Sequence, residues 1–184
     1  MEITGINTEN INNSNAFTIW LTGLPGSGKT TIGSSLVEEF KSKQRNVELL
    51  DGDELRKIIS SELGFSKRDR DIHLNRVTYL CELLNRNGII TIVALISPYK
   101  KSREFARSKI KNFVEVWVNC PLDICIKRDP KGLYKKANDG ELNQLTGIQD
   151  PYENPPDPEI IVYSGRDSVE QCTQQIIRFV EDND

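Results

Sequence analysis

The chain has 184 residues, with 24 Lys and Arg against 27 Asp and Glu for a formal net charge of −3. That length suits one domain with a sizeable core and falls short of two. The near balance of charge excludes broad, non-specific nucleic-acid binding while leaving clustered Arg and Lys able to hold a small anion.

No apolar run approaches the roughly twenty residues that span a bilayer, and residues 1–15 lack the basic start and apolar centre of a signal peptide. No membrane partner and a cytoplasmic location are the expectations. Cys81, Cys120, Cys125 and Cys172 show no paired Cys-x-x-Cys spacing, and one histidine is too few to complete a metal site with them. Free, buried thiols are expected.

Residues 1–15, rich in Asn, Thr and Ser without an apolar period, predict a flexible arm ahead of a single domain over 16–184. Ala16 to Thr22 predicts a nearly continuous apolar strand, as in a parallel sheet covered on both faces. It runs into Gly23-Leu24-Pro25-Gly26-Ser27-Gly28-Lys29-Thr30-Thr31, a Gly-x-x-x-x-Gly-Lys-Thr stretch. Ile32, Leu36, Val37 and Phe40 then recur at helical spacing to about Lys43. A glycine-rich loop between a strand and a helix turns its N–H groups around a polyphosphate and aims the helix dipole at the same charge. Lys29 is expected on the β- and γ-phosphates of ATP, and the Thr30 hydroxyl on Mg²⁺.

Val47 to Leu50 predicts a second strand, ending at Asp51-Gly52-Asp53. Leu55, Ile58 and Ile59 mark a helix with Asp53 as its cap. Gly64-Phe65-Ser66 breaks that helix, and Ser66 to Asp69 resembles a capping box for a longer one ending at Asn87-Gly88. Ile89 to Ile96 is the most hydrophobic strand and predicts a central position, with Ser97-Pro98-Tyr99 after it. A charged helix over 102–111, a strand over Phe113 to Val118 and a short helix from Leu122 to about Arg128 follow. Residues 129–158 carry three glycines and five prolines with little period. Such a long connection predicts a lid. Ile160 to Tyr163 forms the last strand and Ser168 to Glu181 the last helix. The alternation predicts an α/β three-layer sandwich with a mostly parallel five-stranded sheet. Its singular loops all follow strands and so gather at one sheet edge.

Phosphoryl transfer needs a held γ-phosphate, cations against its charge and an aligned acceptor oxygen. One of Asp51 and Asp53 is expected to hold Mg²⁺ through water and the other to accept a hydrogen bond or proton from the acceptor; the spacing leaves the assignment open. Arg56, one turn after Asp53, and Arg70 present guanidinium forks suited to sulfate or phosphate on a second substrate. Phe65 offers a face for a base.

Together with Leu50-Asp51-Gly52-Asp53, Gly64-Phe65-Ser66, Asp69-Arg70, Ile96 to Tyr99, Arg128 to Lys136, Thr146-Gly147-Ile148 and Asp150 to Glu153, these residues make the chain resemble the adenylylsulfate kinases from about Ala16 onward. The resemblance implies a P-loop kinase fold. It also implies transfer of the γ-phosphate of ATP to the 3′-hydroxyl of adenosine 5′-phosphosulfate, in sulfate assimilation. It places Asp53, Arg56, Phe65, Arg70, His73, Leu133 and Leu145 on the substrate, with Ile96, Ser97 and Pro98 lining its pocket. Lys131 would reach the phosphates from the lid. Ser97 is the family's phosphoserine position, although in-line transfer needs no enzyme nucleophile. A homodimer and a functional link to ATP sulfurylase are also implied.

Three positions depart from the family pattern, all expected on the acceptor side. His73 stands for a usual Asn, Asn75 for an Arg, and Leu145 for a Phe that sandwiches the adenine. These departures leave room for a related kinase acting on another modified nucleotide, such as a cytidine diphosphate derivative. A nucleotide switch without catalysis is the alternative from another class.

Overall fold

The computed structural model describes residues 16–183, and the arm expected over 1–15 lies outside them. Five strands, β1 (Thr18–Thr22), β2 (Val47–Asp51), β3 (Ile90–Ala94), β4 (Phe113–Val118) and β5 (Ile160–Val162), form one sheet in the order β2-β3-β1-β4-β5. Every neighbouring pair is parallel. β1 is the centre and all five of its residues are buried, which is why its sequence reads as continuous rather than alternating. The more hydrophobic β3 lies one position out, and it stops at Ala94 because the chain bends through a left-handed Ser97, at φ 40°.

The described residues form seven helices, α1 (Lys29–Ser42), α2 (Gly52–Ile59), α3 (Lys67–Asn85), α4 (Lys100–Lys109), α5 (Leu122–Arg128), α6 (Leu133–Asn138) and α7 (Val169–Asp182), of which α1 and α7 cover one face of the sheet and α3 and α4 the other. Strand side chains alternate between faces, so Ile19 and Leu21 pack with Ile32, Leu36 and Phe40 of α1 and Ile176 and Val180 of α7. Trp20 points the other way, onto Leu74, Val77 and Cys81 of α3 and Ala106 of α4. Full burial of a side chain such as Ile19 or Leu21 contributes about 1.5–3 kcal/mol. The result is the expected three-layer α/β sandwich. All four cysteines are free and buried.

Two local expectations are corrected. The cap of α2 is Asp51, whose Oδ1 accepts from the amides of Asp53 at 2.9 Å and Glu54 at 3.3 Å. Asp51 has the extended backbone a cap requires, at ψ 126°, whereas Asp53 already lies inside the first turn. The polar connection over 129–158 contains a helix, α6, which buries only Tyr134 and Ala137. That pair belongs to a third apolar cluster with Cys120, Cys125 and Leu145, which seats this segment on α5.

Candidate active site

Because every strand runs the same way, the turns after β1, β2, β3, β4 and β5 emerge along one edge of the sheet. The Gly23–Thr31 loop is shaped there by two glycines. A Cβ on Gly23 would lie 2.5 Å from the Val118 carbonyl oxygen, and Gly28, the N-cap of α1, has φ 96°. Tyr134 Oη donates to the Pro25 carbonyl at 3.0 Å and Ser164 Oγ to the Ser27 carbonyl at 2.6 Å. The loop is thus held from α6 and from the end of β5, a support that sequence reasoning missed. Lys29 is 8% exposed, and its Nζ donates to the carbonyls of Gly23 at 2.9 Å and Leu24 at 2.7 Å. Burial pushes its pKa down to about 8, against the opposing pull of Asp53 and Asp51.

Beside the loop, Thr30 Oγ1 donates to Asp51 Oδ2 at 2.7 Å. A hydroxyl and a carboxylate at this spacing are hard oxygen donors that fit Mg²⁺. Asp53 forms an ion pair with Lys131, which ties the first turn of α2 to the 129–158 segment.

Opposite the loop stands a cationic wall. The Arg56 guanidinium lies 4.7 Å from the centre of the Phe65 ring, and that of Arg70 lies 5.8 Å from it. Arg56 donates to the Gly64 carbonyl at 2.9 Å and Arg70 to the Phe65 carbonyl at 2.8 Å. Arg70 also reaches the Gln144 carbonyl at 2.6 Å, Thr146 Oγ1 at 3.1 Å and Asp150 Oδ2 at 3.3 Å. It therefore fastens the start of α3 to the far end of the 129–158 segment. Phe65 remains half-exposed between the two guanidiniums.

The floor is the turn after β3. The carbonyl of Ile96 accepts from Thr22 Oγ1 at 2.8 Å, that of Ser97 from Arg103 at 2.7 Å and that of Pro98 from the Glu153 amide at 2.8 Å. Ser97 Oγ accepts from Trp20 Nε1 at 3.0 Å. Arg103 is itself buried and bonded to Glu115 Oε1 at 2.7 Å and to the Glu153 carbonyl at 2.7 Å. Neither Trp20 nor Arg103 carried a functional signal, because each acts through partners remote in sequence.

These parts enclose a cavity of about 1230 Å³. Lys29, Thr30 and Thr31 line it together with Pro25, Gly26 and Gly28, whereas Gly23, Leu24 and Ser27 do not border it. Asp51, Asp53, Arg56, Phe65, Arg70, His73, Ile96, Ser97, Pro98, Lys131, Leu133 and Leu145 all border it. His73 is 2% exposed and burial, then Arg56 and Arg76, push its pKa down to about 4. Asn75 does not join this wall. It is exposed and borders a separate shallow depression with Ile72 and Tyr79, because residues two apart on a helix face nearly opposite directions. Arg128, which had no assigned role, also borders the cavity and donates to the Ser164 carbonyl at 2.6 Å.

A parallel α/β sheet, a Gly-Lys-Thr loop at its carboxyl edge, a Thr–Asp oxygen pair and a facing arginine wall define a P-loop kinase. Residues 15–163 match the adenylylsulphate kinase family, and the chain belongs to it. It is 50% identical over 162 residues to a probable adenylyl-sulfate kinase of Pyrococcus abyssi, spanning 88% of this chain and 93% of that protein. It is 46% identical over 173 residues to the adenylyl-sulfate kinase of Clostridium kluyveri, spanning 94% and 87% of the two chains. Its fold superimposes on the Mycobacterium tuberculosis APS kinase CysC, solved in complex with AMPPNP and APS. That match has a TM-score of 0.87 and 37% identity over 90% of this chain and 98% of that one.

Proposed function

We infer that this protein transfers the γ-phosphate of ATP to the 3′-hydroxyl of adenosine 5′-phosphosulfate, releasing 3′-phosphoadenosine 5′-phosphosulfate and ADP. The observation that carries this reading is the single cavity lined both by the phosphate loop and by Arg56, Phe65 and Arg70. Membership of the adenylylsulphate kinase family supports the same acceptor.

The loop amides and Lys29 hold the ATP phosphates, and the end of α1 adds its positive dipole. Thr30 and Asp51 would hold Mg²⁺, which would supply positive charge against the ATP phosphates. Asp53 orients the acceptor hydroxyl and accepts its hydrogen bond or proton. Lys131, now paired with Asp53, moves to the transferring phosphoryl group as residues 129–158 act as a lid. Arg56 and Arg70 supply the positive charge for the phosphosulfate, Phe65 and Leu145 flank the base, and His73 and Leu133 complete the wall. Ile96, Ser97 and Pro98 form a rigid floor, and Ser97 acts there as a positioning residue. The active unit is a homodimer working in the cytoplasm downstream of an ATP sulfurylase, which supplies the acceptor.

ADP release, measured by a coupled assay with and without adenosine 5′-phosphosulfate, tests the reading. Release is expected to depend on that acceptor, and cytidine diphosphate derivatives are expected to support less. Acceptor-independent ATP hydrolysis, or none at all, refutes it.

A further inference from the structure

His73 is the chain's one histidine, and its two ring nitrogens have different surroundings. Nδ1 lies 2.9 Å from Ser60 Oγ. Nε2 is buried and meets no acceptor in good hydrogen-bond geometry among the described residues, the Gly52 backbone pulling on the ring only weakly, and His73 borders the cavity. A buried polar atom without a partner at the edge of a ligand cavity marks a contact that the ligand completes.

The partners of Ser60 decide which nitrogen carries the proton. Ser60 is 1% exposed and closes the C-terminus of α2. Arg76, one turn after His73 on α3, places Nη1 3.3 Å from Ser60 Oγ. The same guanidinium is anchored on the Ile59 carbonyl and, at 2.6 Å, on Glu62. A guanidinium only donates, so Ser60 Oγ accepts from Arg76 and its own proton needs an acceptor. Among the described residues, His73 Nδ1 is the other hydrogen-bonding partner of that hydroxyl. Nδ1 is thereby the acceptor, and the proton of the neutral ring belongs on Nε2.

We propose that Arg76, Ser60 and His73 form a relay that locks the Nε2–H tautomer and presents it as a fixed donor to a lone pair on the acceptor nucleotide. His73 is then the specificity-determining residue, and Ser60 and Arg76 are positioning residues. The ring is hemmed by Arg56 and Arg76, with Asp53 and the Gly52 carbonyl as the opposing groups. Burial first, and then the two guanidiniums, keep it neutral, so Nε2 offers one proton and no charge. An amide side chain at the same place offers both a donor and an acceptor. The locked imidazole is the more selective of the two. The identity of the ligand rests on the function proposed above, whereas the tautomer does not.

With a single histidine, ¹⁵N-histidine labelling of the whole protein yields one ring in a long-range ¹H–¹⁵N spectrum. At neutral pH the expected pattern is Nε2–H with an unprotonated Nδ1. Adding adenosine 5′-phosphosulfate is expected to move the Nε2 signal, and ATP alone to leave it in place. Ser60→Ala is expected to give a tautomer mixture and about a tenfold rise in KM for the acceptor, with KM for ATP within twofold. Ser60→Thr, which keeps the hydroxyl, is expected to restore both readouts. A dominant Nδ1–H ring overturns the relay, as does an Nε2 signal that the acceptor leaves unmoved. If the unmodified protein turns over no adenosine 5′-phosphosulfate, the proposed function fails while the tautomer still reports on the relay.

Discussion

Thr30 donates its hydroxyl hydrogen to one oxygen of Asp51, and the other oxygen of that carboxylate caps α2. One side chain therefore has a structural task and a chemical one. Asn performs the first as well as Asp does, whereas Ala performs neither, and loss of a cap costs about 0.5–2 kcal/mol. Asp51→Asn is expected to unfold within a degree or two of the parent while losing turnover at least 100-fold and needing more Mg²⁺. Asp51→Ala is expected to fall further, by about 2–4 °C per kcal/mol for a domain of this size. Thermal unfolding of both variants with an Mg²⁺ titration of activity separates the two tasks. Equal unfolding temperatures for the two variants would contradict the cap.

Lys29 is charged and buried with its pKa lowered to about 8 from the unfolded 10.5. Between those values the unfolded chain binds more protons than the folded one, so this group's contribution to stability rises as pH rises through the window. Below pH 8 the folded state carries the full cost of the buried charge, on the order of 3 kcal/mol at 1.36 kcal/mol per pH unit. Lys29→Met is expected to abolish turnover and to be most favourable, relative to the parent, below pH 8. The parent should recover ground on it between pH 8 and 10.5. Urea unfolding of both proteins across that range provides the difference, which cancels the tyrosines and cysteines they share. A pH-independent difference would remove the buried charge from the account.

Ser97 Oγ accepts from Trp20 Nε1, and the function proposed above uses it to hold the turn. Ser97→Ala leaves a buried indole N–H without its acceptor, a cost of about 1–3 kcal/mol. The variant is expected to melt lower yet retain turnover within tenfold. A Ser97→Ala enzyme that is stable but inactive would restore a covalent role.

The sheet was legible because β1 is apolar on both faces, and the phosphate loop because its residues are contiguous. Which aspartate caps α2 was not, since Asp-Gly-Asp fits either start and the backbone angle at Asp51 decides. α6 was hidden by its three polar positions in six residues. Tyr134, Ser164 and Arg103 gave no local signal because their partners are brought together only by the fold: Tyr134 supports Pro25, Ser164 supports Ser27 and Arg103 reaches Glu153. Asn75 was misplaced for a different reason. Its separation of two residues from His73 already puts it on another face of α3, and that spacing was readable.

Arg103 joins α4 to three other places, the Ser97 turn, β4 through Glu115 and the irregular stretch at Glu153. Its side chain is 2% exposed and that of Glu115 is 7% exposed. Removing one partner of a buried pair costs about 3–5 kcal/mol, whereas replacing both with apolar groups can be neutral. Arg103→Leu is expected to lower the urea midpoint markedly. Arg103→Leu with Glu115→Leu should recover less than the full loss, because the carbonyls of Ser97 and Glu153 stay unpaired and Arg107 loses its contact with the Glu115 carboxylate. Full recovery would reduce Arg103 to a charge partner alone.

Leu145 bears on acceptor choice. Its backbone is fixed by bonds from Gln149, with the amide held at 2.9 Å by Gln149 Oε1, and its side chain packs at the cavity rim with Tyr134. Substituting Phe adds volume to a packed cluster, which costs about 1–3 kcal/mol of stability. The same ring adds a stacking face opposite Phe65, a gain of about 0.5–1.5 kcal/mol in binding. The two effects fall on different measurements. Open cavity on one side lets the ring turn toward it, so the stability loss belongs at the low end of its range. Leu145→Phe is expected to melt a few degrees lower and to bind adenosine 5′-phosphosulfate roughly 2- to 10-fold more tightly, at 1.4 kcal/mol per tenfold, with ATP affinity unchanged. Calorimetric titration of each nucleotide measures both. If acceptor affinity stays level while stability falls, the ring packs into the α6 cluster and the base does not pass Leu145.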